Sequence, residues 1–223
     1  ILSRHAAGST RAVFEVFILD LTLLSRDPSL QHSVSPLLER QMKQSFTRLS
    51  GLGLTEIRYV EARGKVHVVL MPENGKMAPD QHDSQLLSWA LDAKNKDAMY
   101  LMSTDKPEAE QDYHLALRIH MAMPVWQGGF TENQAARKDA FAGVVILTAD
   151  ATVIAKTVLK DIRSGKTGYG WMLDNHGTFL YHPEAAFIGR NAFAARKERE
   201  PAISFARINE IQRDRMLKGE EGE

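Results

Sequence analysis

Arg118 and His120 are the side chains in this sequence best suited to hold a ligand. They stand two apart in an apolar run, so a strand there puts Ala116, Arg118, His120 and Ala122 on one face. Leu115, Leu117, Ile119 and Met121 take the other. A guanidinium presents a planar fork that matches a carboxylate, and an imidazole adds a donor near neutral pH. The pair suits recognition of a small anionic or carboxylate-bearing metabolite, with Tyr100, on a strand expected alongside, adding a hydroxyl; the alternative is a face solvated or covered by helix, with Arg118 paired to a nearby acid. His114 shares that face, but a cation between two imidazoles opposes a metal. The eight histidines include no HExxH or comparably tight ligand spacing. Catalysis finds no constellation. Asp174 and Glu184 can be imagined as an acid/base pair but lack an activated nucleophile and a third orienting group. Asp174 reads instead as a turn residue accepting backbone N–H bonds, and His182 as a strand-end residue bonded to backbone. Lys160 stands where a phosphate loop ending in Gly165-Lys166-Thr167 needs glycine. The expected site is a binding site with no cofactor and no metal.

Composition narrows the partners. Among 223 residues, Lys plus Arg equals Asp plus Glu at 28 each, which leaves no electrostatic footprint for nucleic acid. Cysteine is absent, which removes disulfides, thiolate metal sites and cysteine nucleophiles. Hydrophobic residues make up 43% of the chain, enough for a sizeable core. The most apolar stretch, Ala12 to Leu24, is interrupted by Glu15 and Asp20 and is too short to span a bilayer. The start Ile1-Leu2-Ser3-Arg4 reads as the beginning of an excised piece rather than of a whole protein.

The elements that must position these residues are legible from periodicity. Val13, Phe17, Leu21 and Leu24 mark an amphipathic helix, and Leu38, Met42, Phe46 and Leu49 a second, with a break near residues 27–36 where Asp27-Pro28 and Ser35-Pro36 signal new helix starts. The period then changes. Glu56 to Ala62 and Lys65 to Met71 form a hairpin around Arg63-Gly64, and Leu86 to Ala93 a short helix. Ala98 to Ser103, Tyr113 to Trp126 and Ala140 to Ala149 complete a five-strand antiparallel meander, with a polar loop at 127–139. Thr152 to Ile162 is helical. A small hairpin follows, 170–173 against 178–182 around Asp174-Asn175-His176-Gly177, and a last helix lies beyond Pro201. The fold class is α+β: a long N-terminal helix, an antiparallel five-strand sheet, and a smaller, incomplete second module.

Two stretches resemble the Cache family of extracytoplasmic sensor domains. LRIHMAMPVW at 117–126, followed by GVVIL at 143–147, is similar to the family's paired strands, the first ending in Pro-Val and the second beginning Gly-Val. GKTGYGWMLD at 165–174, with Gly177, His182-Pro183 and Ile188-Gly189, resembles the pattern Gly-Tyr, strand, Asp-x-x-Gly, strand, His-Pro, Ile-Gly. The resemblance implies a helical segment at 1–53, a membrane-distal sensing module at 54–160 and a membrane-proximal module at 161–223. It further implies the periplasmic part of an inner-membrane receptor, a sensor histidine kinase first among the outputs, tethered by transmembrane helices and dimeric at full length. It places ligand contacts at Thr148, where the family's amino-acid binders carry Asp, and at Asp150 two residues on. Trp89 has Leu87 and Ala90 around it where the family's amino-acid binders carry an Arg-x-Trp-Tyr-like helix motif. Both departures point away from an α-amino acid and toward another organic acid. The alternative is a structural or partner-binding domain with no small-molecule ligand.

Overall fold

The computed structural model describes residues 2–70, 83–103, 118–128, 140–164, 166, 168–174 and 176–220. Residues 113–117 with His114, most of the polar loop, Gly165, Thr167 and Asn175 lie outside the described residues. Two compact units emerge, one from the described residues of 11–104 and 118–150, the other from those of 2–10 and 151 onward.

The chain opens with helices α1 (Leu2–Ser25), of which the first unit holds the part from Arg11 on, α2 (Pro28–Gln31) and α3 (Ser35–Leu49). The break falls where Asp27 caps α2 by accepting the Ser29 N–H, with Pro28 at the first helical position. The sheet comprises β1 (Leu54–Glu61), β2 (Val66–Leu70), β3 (Tyr100–Ser103), β4 (Arg118–Trp126) and β5 (Phe141–Asp150), with α4 (Asp83–Leu91) between β2 and β3. All pairings are antiparallel, but the order is β2-β1-β5-β4-β3, which corrects the expected meander. β1 leaves the edge and pairs with β5 in the middle of the sheet, Tyr59 opposite Val145 and Ile57 opposite Leu147.

That central pairing has a steric condition. A Cβ on Gly143 would lie 2.3 Å from the Val60 carbonyl oxygen and 2.9 Å from the Tyr59 ring, so only glycine lets β1 approach β5 here. Tyr59 is fully buried, and its hydroxyl lies 2.8 Å from the Leu30 carbonyl oxygen and 3.1 Å from that of Ala142. Burial pushes the phenol pKa up to about 12, so it stays a neutral donor. Ile57, Tyr59, Val145, Leu147 and Met121 share one sheet face and are fully buried, as are Phe17, Leu21, Leu30, Leu38 and Met42 of the helices. Phe17 is thus buried within the chain itself. Val16, Leu19 and Leu23 of α1 remain 44%, 62% and 58% exposed.

The second unit holds α5 (Ala151–Leu159), a short pair β6 (Arg163–Ser164) and β7 (Gly168–Tyr169), and the pair β8 (Met172–Leu173) and β9 (Phe179–Tyr181). Helices α6 (Ala192–Arg199) and α7 (Ala206–Asp214) follow. The last helix expected beyond Pro201 is α7; α6 precedes it, an element the periodicity did not show, and starts where Asn191 caps it through the N–H groups of Phe193 and Ala194. Asp174 accepts from His176 and Thr178 N–H at 2.9 and 2.8 Å and closes the turn between β8 and β9. Phe179, Phe187, Ala192 and Ala195 form a small core against Trp171 and Leu173. His182 Nδ1 accepts the Glu184 N–H at 3.1 Å. Among the described residues no helix is long and apolar enough to cross a membrane.

Two tests follow from this packing. Gly143→Ala should lower the urea midpoint, at unchanged m-value, by the equivalent of about 2 kcal/mol or more, since the added methyl meets backbone that cannot move aside. Burial, aided by the charges of Arg196 and Arg199, holds the His182 imidazole below its ordinary value. The unfolded imidazole titrates near 6.5, above the folded one, so this contribution to stability is complete above about pH 6.5 and is lost as pH falls toward the folded value. Thermal melts followed by Trp171 fluorescence should fall across that window. His182→Gln should flatten the dependence, and an unchanged pH profile in that variant would assign it to other groups.

Candidate functional site

Residues opposite one another in antiparallel strands project to the same face, so the register alone sorts the candidate residues. Tyr100 pairs with Ala122, Ala122 with Ile146, and Ile146 with Arg58. In the next row Met102 pairs with His120, His120 with Thr148, and Thr148 with Glu56; beyond it Arg118 stands opposite Asp150. Tyr100, Arg118, His120, Thr148 and Asp150 therefore lie on one face, the one turned away from Tyr59 and Leu147. The alternation that separates Arg118 and His120 from Ile119 and Met121 is the alternation the strand displays.

At one end this face is apolar. Leu86 and Ala90 of α4 are buried against Val60, Ala122, Val144 and Ile146, and the Trp89 ring centroid lies 5.1 Å from that of Tyr100. At the other end it is polar. His120 and Thr148 are each 3% exposed, with His120 Nδ1 at 3.1 Å from Thr148 Oγ1. Beside them, periodicity had left a group unassigned. Arg58 Nε donates to Glu56 Oε1 at 2.6 Å, and its Nη1 donates to Asp83 Oδ2 at 2.7 Å. Burial pulls the Arg58 pKa down, but hydrogen bonds and charge from Glu56 and Asp83 outweigh it and hold the guanidinium above its ordinary value. Asp83 Oδ1 is buried and has no hydrogen-bond partner among the described residues. The sequence did carry a sign of this cluster. Glu56 and Arg58 alternate with Ile57 and Tyr59, so they were bound to share a face, although the strand opposite them could not be read.

Chemically, the face offers two guanidiniums, three carboxylates, an imidazole, a threonine hydroxyl and a phenol, framed by an indole. It can bind a small polar molecule by directed hydrogen bonds. It lacks, among the described residues, a nucleophile held by a base.

The Arg58 cluster gives a test of stability. Arg58→Ala leaves the partly buried carboxylates of Glu56 and Asp83 without their cation, and should cost about 3 kcal/mol in urea unfolding. Arg118→Ala, at a half-buried strand end, should cost far less. Equal costs would contradict the special burial of Arg58.

No family profile matches the sequence. The voltage-dependent calcium channel subunit α2/δ-3 of Mus musculus is 26% identical over 179 residues, which cover 79% of this chain and only 14% of that protein. Solved structures give wider agreement. The ligand-binding domain of the Pseudomonas aeruginosa amino acid chemoreceptor PctC, in complex with GABA, is 16% identical over 91% of this chain and 79% of that chain, at a TM-score of 0.54. The Campylobacter jejuni chemoreceptor Tlp3 with L-valine is 12% identical over 95% and 78%, at 0.53. The extracellular domain of mmHK1S-Z3, described as a histidine kinase, is 14% identical over 99% and 80%, at 0.56. With a helical N-terminus, a five-strand antiparallel sheet and two small two-strand sheets, this chain has the mixed α+β, PAS-like fold of extracellular ligand-binding sensor domains.

Proposed function

We propose that this chain is the extracytoplasmic ligand-sensing domain of a transmembrane signal-transduction receptor, a sensor histidine kinase first among the candidates. One observation carries this reading. The polar side chains that can direct hydrogen bonds converge on a single sheet face, whose apolar end is roofed by α4. In this reading the ligand is a small organic acid, its carboxylate held by Arg118 and His120, with Tyr100, Thr148 and Asp150 around it. PctC with GABA and Tlp3 with L-valine, both carboxylate ligands on this fold, support the ligand class. The module at 54–160 does the sensing, 1–53 is the helical lead-in, and 161–223 is the membrane-proximal module. Binding, without catalysis, is the whole of its chemistry: a ligand biases two conformations by its differential affinity. The receptor is a homodimer in the periplasm, and the exposed Val16, Leu19 and Leu23 stripe of α1 supports pairing through that helix.

The likeness to a calcium channel subunit supports a second reading, an extracellular module that contacts a partner protein and takes no small ligand. A thermal-shift screen of organic acids separates the two. A ligand at a hundred times its dissociation constant should stabilise the fold by about 2.7 kcal/mol, and Arg118→Ala should abolish the shift. A hit that survives Arg118→Ala overturns the site. A screen with no hit favours the second reading.

A further inference from the structure

His182 follows the last residue of β9, and a backbone group fixes the protonation state of its ring. Nδ1 lies 3.1 Å from the Glu184 backbone nitrogen. A backbone N–H can only donate, so Nδ1 is bare and the neutral ring carries its proton on Nε2. A second proton can enter only at Nδ1, where it meets the Glu184 N–H head-on. Protonation and this hydrogen bond therefore exclude one another.

The surroundings of the ring do not favour an imidazolium. His182 is buried, and the rings of Tyr169, Phe179 and Phe187 stand steeply inclined around it, with centroids at 5.2, 5.0 and 4.7 Å. Phe179 and Phe187 already carry the guanidiniums of Arg196 and Arg199, each 5.5 Å from its ring centroid. Glu184 is paired with Arg199. Burial first, and then the charges of Arg196 and Arg199 on α6, hold the imidazole below its ordinary pKa. Of the other elements packed on β9, β8 and the helical turn Ala185–Phe187 bring no ionisable side chain. The one charge on α5, Lys156, is exposed.

The same residue fastens a turn. Residues 182–190 lead from β9 toward α6. Besides the Glu184 bond, Gly189 N–H donates to the Phe179 carbonyl at 2.8 Å, and Phe179 N–H donates to the Arg190 carbonyl at 3.0 Å. We propose that His182 is a proton-operated latch on this turn: uptake of a proton at Nδ1 breaks the bond from Glu184, expels the ring from its aromatic surround and frees residues 182–190. The second unit then responds to acid by itself, with the proton as its ligand. The freed imidazole titrates at about 6.5. By linkage, each pH unit below that raises the ratio of open to closed turn by up to about tenfold, until the enclosed ring takes up its own proton. The inference does not depend on the site around Arg118.

Hydrogen exchange of the 223-residue chain tests the latch. Between about pH 7 and pH 5, the protection factors of the Glu184 and Gly189 amides, corrected for the intrinsic pH dependence of exchange, should fall by up to about tenfold per unit. His182→Asn keeps an acceptor oxygen close to the position of Nδ1 and cannot titrate, so the same amides should lose that slope. Arg199→Gln, at an exposed position, removes one of the charges that oppose protonation and should reduce the total loss of protection. Protection that stays level with pH in the native chain overturns the proposal. So does an equal fall in the amides of α5, which would mean that the whole unit opens. A slope that persists in His182→Asn overturns it as well, as does, should that variant not fold, a loss that Arg199→Gln leaves unchanged.

Discussion

The close approach of β1 to β5 at Gly143 is the constraint on which the first unit depends. β1 follows the N-terminal helices and β5 ends the sheet, with Tyr59 and Ala142 separated by 83 positions. Bringing them together costs loop-closure entropy that only extensive burial can offset. The burial is supplied on one face by Tyr59, Ile57, Val145 and Leu147 beneath the helices. The Tyr59 hydroxyl ties that face to both sides at once, reaching the Leu30 and Ala142 carbonyl oxygens. Because β1 sits centrally, Glu56 and Arg58 arrive beside Thr148 and Ile146. A meander would have put them elsewhere. The polar half of the candidate site is thus a consequence of the strand order.

Electrostatics on that face follows the same logic. Arg58 is satisfied by two acids, and Arg118 stands opposite Asp150 in the register. Under the proposed function, a carboxylate ligand at Arg118 would arrive beside Asp150. A ligand shifts an equilibrium only through interactions that differ between its two states.

Local pattern made the elements and the face legible, but not the topology. Helix breaks at Asp27-Pro28 and Ser35-Pro36, the hairpin around Arg63-Gly64, and the segregation of Arg118 and His120 from Ile119 and Met121 all follow from neighbours within a few residues. The order β2-β1-β5-β4-β3 does not, since it pairs segments far apart in sequence. For the same reason Tyr100, Arg118 and His120 could be named while Glu56, Arg58 and Asp83 could not. Arg58 reads locally as an exposed strand position, and only the strand opposite makes it buried. Helix α6 escaped notice because its start depends on Asn191, a single capping residue with no strong apolar stripe behind it.

Pro124 shows how an apparently local feature reports a long-range one. In a strand paired on both sides along its whole length, it would remove a ladder hydrogen bond. Here β3 stops at Tyr100, and the proline falls where β4 has only β5 beside it. An exposed strand edge invites pairing with other chains unless something occupies or blocks it. Pro124 blocks part of it, while Arg26 and Lys96 set positive charge beside the remainder.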